Sequence, residues 1–436
     1  MKRKLIIFSC LLAVLCSNNN CTDTGSKPKV DARDISRVIT TMTRIMVHDV
    51  TNPPLSARFF SYACLAGFEV VAENDPKEKS LQSALNGYPH FKAPSTKGYD
   101  YQLSALLAMM ETAAKLQPSG SLMVQYKQRF LDSCRSLGYE KDVIDSSENY
   151  AKSISRQILA YAKADKYNRI SNYTRYSLKN TDGSWSPTPP AYMTPVEPYF
   201  NTIRPFALDS ASQFKSAPPV PFSTNKQSQF YTYMQQSYQL KLTPEQRAIA
   251  GFWDCNPFAV EDDGHMMVGL KKISPGAHWL GITGIACAQA KVGFPKAMEI
   301  HTMVSIGLMD SFICCWDDKY RHNRIRPETA IRRYLDANWK PLLQTPPFPE
   351  YLSGHSCISA TSAVLLSHYL GDHFEYTDTV EEQYGIKPRK FHSFNEAAIE
   401  AGISRFYGGI HFRDAIDNGR LQGIEVGNWI LKRIAH

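Results

Sequence analysis

Apolar residues recur along this chain at intervals of three and four, the period of an amphipathic helix. Over 34–50, Ile35, Val38, Ile39, Met42, Ile45 and Met46 fall on one stripe. Residues 55–72 are apolar almost all round, which predicts a helix buried on every side. The same period predicts helices over 101–116, 122–137, 147–164 and 244–253. Pro295 suits a first helical turn and Pro327 cannot continue a helix, so one long helix is expected over 295–326. Further helices are expected over 357–370, around Ala397, Ala398, Ile399 and Ile403, and from His411 toward Trp429 and Ile430. No convincing alternation of strand type appears.

Residues 166–225 break that rhythm. They are rich in Pro, Tyr, Ser and Asn, with turn-prone runs such as Ser186-Pro187-Thr188-Pro189. So long an irregular stretch in a compact domain usually wraps a surface or serves a site. Its aromatic content suggests that it lines the mouth of a pocket. Neither a linker composition nor a fixed-period repeat divides the chain. The expected fold is all-α: a single large helical-bundle domain over 30–436 with a long irregular insertion.

The first residues have a different pattern. Lys2, Arg3 and Lys4 precede an apolar run over 5–16, too short to span a bilayer, and polar residues follow over 17–20. This predicts an export signal over 1–21 and a periplasmic or extracellular location. No later stretch reads as a transmembrane helix. Cys16 and Cys21 leave a lipid anchor at the outer membrane open, although Ala13-Val14-Leu15 lacks the small residue that a bacterial lipobox usually carries.

Composition adds exclusions. At 436 residues, 43% hydrophobic and a mean hydropathy of −0.33, the chain is a soluble globular type. Its formal charge of +8 falls to +5 once Lys2, Arg3 and Lys4 are removed with the signal. Without a basic run, that bias excludes a nucleic-acid footprint. Seven cysteines follow the signal and none forms a CxxC pair, which argues against a thiolate zinc site. Their apolar helical settings read most of them as buried small hydrophobes.

Candidate chemistry gathers in the last third, at 319–327 (KYRHNRIRP), 353–355 (SGH) and 404–411 (SRFYGGIH). Lys319 and Arg326 are seven apart, about two helical turns, and so are expected on one helix face with Trp316. Ser353-Gly354-His355 follows a Pro-rich approach and opens an apolar helix. Unpaired N–H groups and the positive dipole end attract anions there. Ser353 supplies a hydroxyl or a cap, and Gly354 permits close backbone approach. Gly408-Gly409 lets the chain turn so that Arg405 and His411 face one point. Asp414 caps the last helix or orients His411 through its second nitrogen. Three cations suit one small, highly charged oxyanion, and clustering them without a ligand would be costly. Of the two histidines, one can bond the central atom and the other can move protons. His322 and His392 fit no such pattern and read as structural or surface residues.

These segments resemble the vanadium-dependent haloperoxidase and type 2 phosphatidic acid phosphatase superfamily, whose pattern is Lys-x6-Arg-Pro, Pro-Ser-Gly-His and Ser-Arg-x5-His. The one departure is Leu352 where proline is usual. The resemblance implies a helical bundle and a vanadate cofactor bound covalently to His411. Lys319, Arg326, Ser353, Gly354 and Arg405 would bond its oxygens. His355 would be the acid–base group, and Lys319 would polarise the bound peroxide. The partners implied are hydrogen peroxide and a halide, and the product is hypohalous acid.

The phosphatase branch implies an alternative, an exported acid phosphatase with His411 as nucleophile and His355 protonating the leaving alcohol. The long helical N-terminal portion favours the peroxidase branch. So do Trp316 and Phe348, which resemble the aromatic residues on the halide side of haloperoxidase pockets. Phe348 resembles the chloroperoxidase and bacterial iodoperoxidase pattern, where algal bromoperoxidases tend to have histidine. The halide implied is iodide, with bromide left open.

Overall fold

A computed structural model describes residues 30–92, 94–262, 267–270 and 272–434. The export signal expected over 1–21, with Cys16 and Cys21, lies outside the described residues. Thirteen helices form the fold among the described residues. The first five are α1 (Ala32–His48), α2 (Pro53–Asn74), α3 (Tyr101–Leu116), α4 (Gly120–Ser136) and α5 (Lys141–Lys163). After the insertion come α6 (Gln229–Tyr238), α7 (Pro244–Phe252), α8 (Pro275–Gln289) and α9 (Phe294–His322). The last four are α10 (Pro327–Tyr334), α11 (Gly354–Leu370), α12 (Phe394–Tyr407) and α13 (Arg413–Ile434). One hydrophobic cluster runs from Val30 to Ile434, so the fold is an all-α bundle around a continuous core.

Local chemistry fixes the ends. Asp31 and Asp34 form a reciprocal capping box on α1, and Asn52 caps α2 ahead of Pro53 and Pro54. Ser274 caps α8 in the same way ahead of Pro275. Three helices escaped the sequence pattern. α8 is apolar on every face, α6 is short and rich in Tyr and Gln, and α10 is only eight residues long. The structure also has two small antiparallel hairpins that the sequence did not predict. They pair β1 (Val260–Asp262) with β2 (Met267–Gly269) and β3 (Tyr376–Asp378) with β4 (Arg389–Phe391).

The helix expected over 295–326 is really two elements. α9 stops at His322 because Asn323 takes a left-handed conformation, φ 48°. Arg326 is extended, as the residue before a proline must be, and is the N-cap of α10. Lys319 and Arg326 are therefore not on one helix face.

Two helices, α2 and α9, are long and apolar enough to cross a membrane, which corrects the expectation of none. Both are core helices: 89% and 94% of their apolar windows are buried inside the bundle. α9 packs against α2, α8, α11 and α13, and α11 packs against α9, α12 and α13. The α11–α13 approach depends on glycine. A Cβ on Gly423 would stand 2.1 Å from the Cys357 carbonyl oxygen, and one on Gly419 would stand 2.8 Å from that of Ser353.

The irregular insertion braces the outside of the elements that surround the site. Its Phe206, Ala207 and Leu208 N–H groups donate to the buried Asp310 carboxylate of α9 at 2.7, 2.7 and 3.0 Å. The Val196 carbonyl accepts from Trp316 Nε1 at 3.2 Å and from the Tyr320 hydroxyl at 2.6 Å. Val196 N–H in turn donates to Pro347, and Trp185 N–H to Asn323.

Candidate active site

The C-terminal end of α9, the 346–352 approach loop, the start of α11 and the turn between α12 and α13 meet around one small cavity of about 30 Å³. His355, Arg405, His411, Gly354, Trp316 and Phe348 are among its lining residues.

His411 is held at both nitrogens. Nδ1 lies 2.9 Å from Glu350 Oε1, and Nε2 lies 3.1 Å from Arg326 Nη1. Since a carboxylate only accepts, Nδ1 carries the proton and Nε2 presents a lone pair. Glu350 Oε1 also accepts the Phe412 N–H at 2.9 Å. Its other oxygen pairs with Arg324, whose Nη1 and Nη2 reach Asp414 at 2.6 and 2.7 Å. Asp414 therefore anchors Arg324, and it is Glu350 that orients His411. Sequence reasoning missed Glu350 and Arg324, although Arg324 stands inside 319–327 and Glu350 lies just ahead of Ser353. The only available signal was a carboxylate among cationic motifs.

Arg324 is neutralised by two carboxylates, Arg405 has only Asp254 at 3.9 Å, and Lys319 and Arg326 form no ion pair among the described residues. The Lys319 ammonium donates to the carbonyls of Pro349, Glu350 and Leu352, which uses all three of its N–H bonds. Burial, with Arg326 also close, pushes its pKa down to about 7. Arg326 donates to Phe348 and Ile410 carbonyls at 3.0 and 2.8 Å. Its pKa falls to about 9, chiefly through burial and then through Arg405 and Arg324. Arg405 donates to the Trp253 carbonyl at 2.7 Å. Both histidines sit well below the usual imidazole range. Burial is the main cause in each, followed by Arg405 for His355 and by Arg326 for His411.

Three buried polar atoms around this site have no partner in the protein: Arg326 Nη2, Arg405 Nε and His355 Nε2. Buried polar groups are almost always satisfied, so two orphaned guanidinium donors and one free imidazole nitrogen among these cations point to an absent anionic partner.

The comparisons decide the family. Residues 299–436 match the family described as the VCPO second helical-bundle domain. The chain superposes on a solved bacterial vanadium-dependent iodoperoxidase with a TM-score of 0.88 and 38% identity, covering 93% of this chain and 97% of that one. The chain belongs to the vanadium-dependent haloperoxidases.

Holo-type and apo-type bacterial vanadium-dependent chloroperoxidases share the haloperoxidase fold at a TM-score of 0.65, with 15% and 13% identity. They cover 88% of this chain and 93% and 96% of their own. No match emerged among curated protein sequences.

The haloperoxidase brings Lys319, Arg326, Gly354, His355, Arg405 and His411 into one neighbourhood, with unequal exposure to the cavity. Ser353 is the N-cap of α11; its Oγ accepts from Ser356 N and Oγ at 3.3 and 2.9 Å, which leaves its own O–H to donate. A Cβ on Gly354 would meet the Trp316 ring at 3.6 Å and Lys319 Cε at 4.0 Å. That is ordinary packing, so glycine here keeps the cavity wall open and is not demanded by a clash. Trp316 and Phe348 rings lie 5.0 Å apart, and Lys319 Nζ is 5.6 and 5.0 Å from their centroids. The Trp316 N–H is committed to Val196, so only its ring is offered to the cavity.

His392 is exposed and pairs with Glu375, while His322 packs on Tyr351. All seven described cysteines are buried and unbridged. The orphaned donors, the oriented Nε2 and the three cations fit a tetrahedral oxyanion such as vanadate.

Proposed function

We propose that this haloperoxidase binds vanadate and oxidises iodide with hydrogen peroxide to the hypohalous acid, with bromide as a slower substrate. The observation that carries the reading is the pair of orphaned donors on Arg326 and Arg405 and the unpartnered His355 Nε2 around the oriented His411. His411 would hold vanadium through Nε2, since Nδ1 is committed to Glu350, and this requires Arg326 Nη1 to leave Nε2. Arg326, Arg405, Ser353 and the Gly354 N–H would bond the oxygens. Lys319 would supply charge from beneath the approach loop, and its direct contact with an oxygen requires release of one carbonyl.

Bound vanadate supplies a Lewis-acid centre that activates peroxide toward halide without changing oxidation state. The protein's own work is proton transfer, orientation and exclusion of water. His355 Nε2 has a depressed pKa and no protein partner, so it is free to take a proton from hydrogen peroxide and return it to a leaving hydroxide. Trp316 and Phe348 offer a dry, polarisable wall suited to a large, weakly hydrated anion. Likeness to a bacterial iodoperoxidase at 38% identity also supports iodide. We further propose residues 30–436 as the folded unit and 1–21 as an export signal.

The test is to strip the protein of bound anions and add back orthovanadate. Iodide and bromide oxidation with peroxide would be followed beside hydrolysis of a phosphate monoester. Restoration of iodide oxidation supports the reading. Ester cleavage inhibited by vanadate, with no peroxide chemistry, overturns it in favour of an acid phosphatase.

A further inference from the structure

One wall of the cavity, at Cys255, carries a second cluster of reactive side chains. Cys255, in the loop after α7, meets His278 on the first turn of α8 and Glu381 in the loop after β3. All three are buried. Cys255 Sγ is 3.3 Å from His278 Nδ1 and 3.6 Å from Glu381 Oε1, and Nδ1 is 3.6 Å from the same oxygen.

Those three edges match a metal's coordination polyhedron. Zinc stands about 2.3 Å from a thiolate and about 2.0–2.2 Å from imidazole nitrogen or carboxylate oxygen, so tetrahedral angles separate the donor atoms by roughly 3.3–3.6 Å. The 3.6 Å nitrogen–oxygen edge is, by contrast, too long for a hydrogen bond. His278 is also set up as a ligand. Its Nε2 lies 2.8 Å from Asp378 Oδ2, which fixes the proton there and turns the Nδ1 lone pair toward Cys255 and Glu381. Asp378 is itself held by the Val380 N–H at 3.0 Å. Burial pushes both the Cys255 thiol and the Glu381 carboxyl above their ordinary ranges, and a divalent cation reverses that cost.

We propose that Cys255, His278 and Glu381 bind a divalent cation of the zinc class, with Asp378 orienting His278. One thiolate, one imidazole and one carboxylate suit zinc and leave a fourth position for water. The absence of a CxxC pair argued against a thiolate zinc site; the fold assembles this one from three separate segments.

The ion would tie down the segment that holds Arg405. Arg405 donates to the Trp253 carbonyl, and the Trp253 indole stacks on His278 at 4.7 Å and 24°. The cation thus positions one wall of the anion cradle without touching the anion. It would also keep the cavity-lining Cys255 from being a free thiol. The proposal rests on the triangle alone and stands apart from the halide reading.

The test uses the full chain, purified without chelators, with metal content measured by mass spectrometry. After chelator stripping, cobalt(II) chloride is added as a spectroscopic probe. One equivalent of zinc and a thiolate-to-cobalt charge-transfer band are expected in the wild type. That band should vanish in Cys255→Ser. In Asp378→Asn, zinc affinity should fall about 10–100-fold. If those variants fail to fold, the wild type decides through mass-spectrometric labelling of Cys255, which zinc should block. No stoichiometric zinc after dialysis against zinc chloride, or cobalt bound without a thiolate band, overturns the proposal.

Discussion

Glu350 Oε1 holds His411 Nδ1 at 2.9 Å, and this single contact decides which nitrogen faces the cavity. Glu350→Gln keeps an oxygen that can accept but loses the charge that balances Arg324 and fixes the tautomer. Such orienting partners typically contribute 10–100-fold to affinity. Vanadate affinity, read from the vanadate dependence of iodide oxidation, should fall within that range while far-UV circular dichroism stays unchanged. Unaltered affinity would remove Glu350 from the positioning role.

His355 separates chemistry from binding. His355→Ala should lower kcat by about 10²–10⁴-fold, the usual contribution of a positioned acid–base group. Vanadate affinity should move by less than tenfold, measured by equilibrium dialysis. Equal losses in both would make His355 an anion ligand.

Lys319 gives the site a pH dependence. Its folded-state pKa of about 7 lies below the ordinary 10.5, so the unfolded chain binds more protons across that interval. For the anion-free protein this contribution makes stability rise with pH from about 7 toward 10.5, and the penalty is fully present below 7. An anion favours the charged lysine, so binding above pH 7 should take up about one proton. Calorimetry of vanadate binding at pH 8, in buffers of different ionisation enthalpy, should show that uptake. Lys319→Met should abolish it.

Removing the anion should soften the fold. Lys319, Arg326 and Arg405 are buried close together, with Asp254 at 3.9 Å from Arg405 as the one carboxylate paired to them among the described residues. Orthovanadate at about 100 times its Kd should stabilise the protein by about 2.7 kcal/mol. Differential scanning calorimetry should show a higher Tm with vanadate in the wild type. His411→Ala should lose most of that rise.

Asp310 tests the insertion. It accepts three buried N–H groups from residues 206–208, so Asp310→Ala strands them all. The expected cost is about 3 kcal/mol or more in urea unfolding, given roughly 1–3 kcal/mol per unsatisfied group. A loss under about 1 kcal/mol would mean that water reaches those amides.

Much of the fold was legible because its signal is periodic. Ile35, Val38 and Met42 mark α1, and the proline at 295 marks the start of α9. α8 was invisible because a helix buried on every face has no polar stripe to set its period. At the site, the motifs supplied His355, Arg405 and His411, which do share one cavity. The motif spacing was read through the wrong geometry, since the turn at Asn323 is a local left-handed choice that a seven-residue interval does not reveal. Glu350, Asp378 and Glu381 escaped for a related reason. Each acts on a histidine far away in sequence, and only tertiary packing brings the pair together.

The carbonyl of Val196 has a consequence for anyone moving this chemistry elsewhere. It ties down both Trp316 and Tyr320 from a stretch that carries no motif, as Trp253 does for Arg405. A transplant of 299–436 into another bundle would carry every charged and ionisable ligand proposed for the oxyanion. It would keep Glu350 behind His411 but lose the Trp253 carbonyl that holds Arg405 and the Val196 carbonyl that holds the Trp316 ring. Part of the aiming apparatus is therefore written in the stretch that no motif marks.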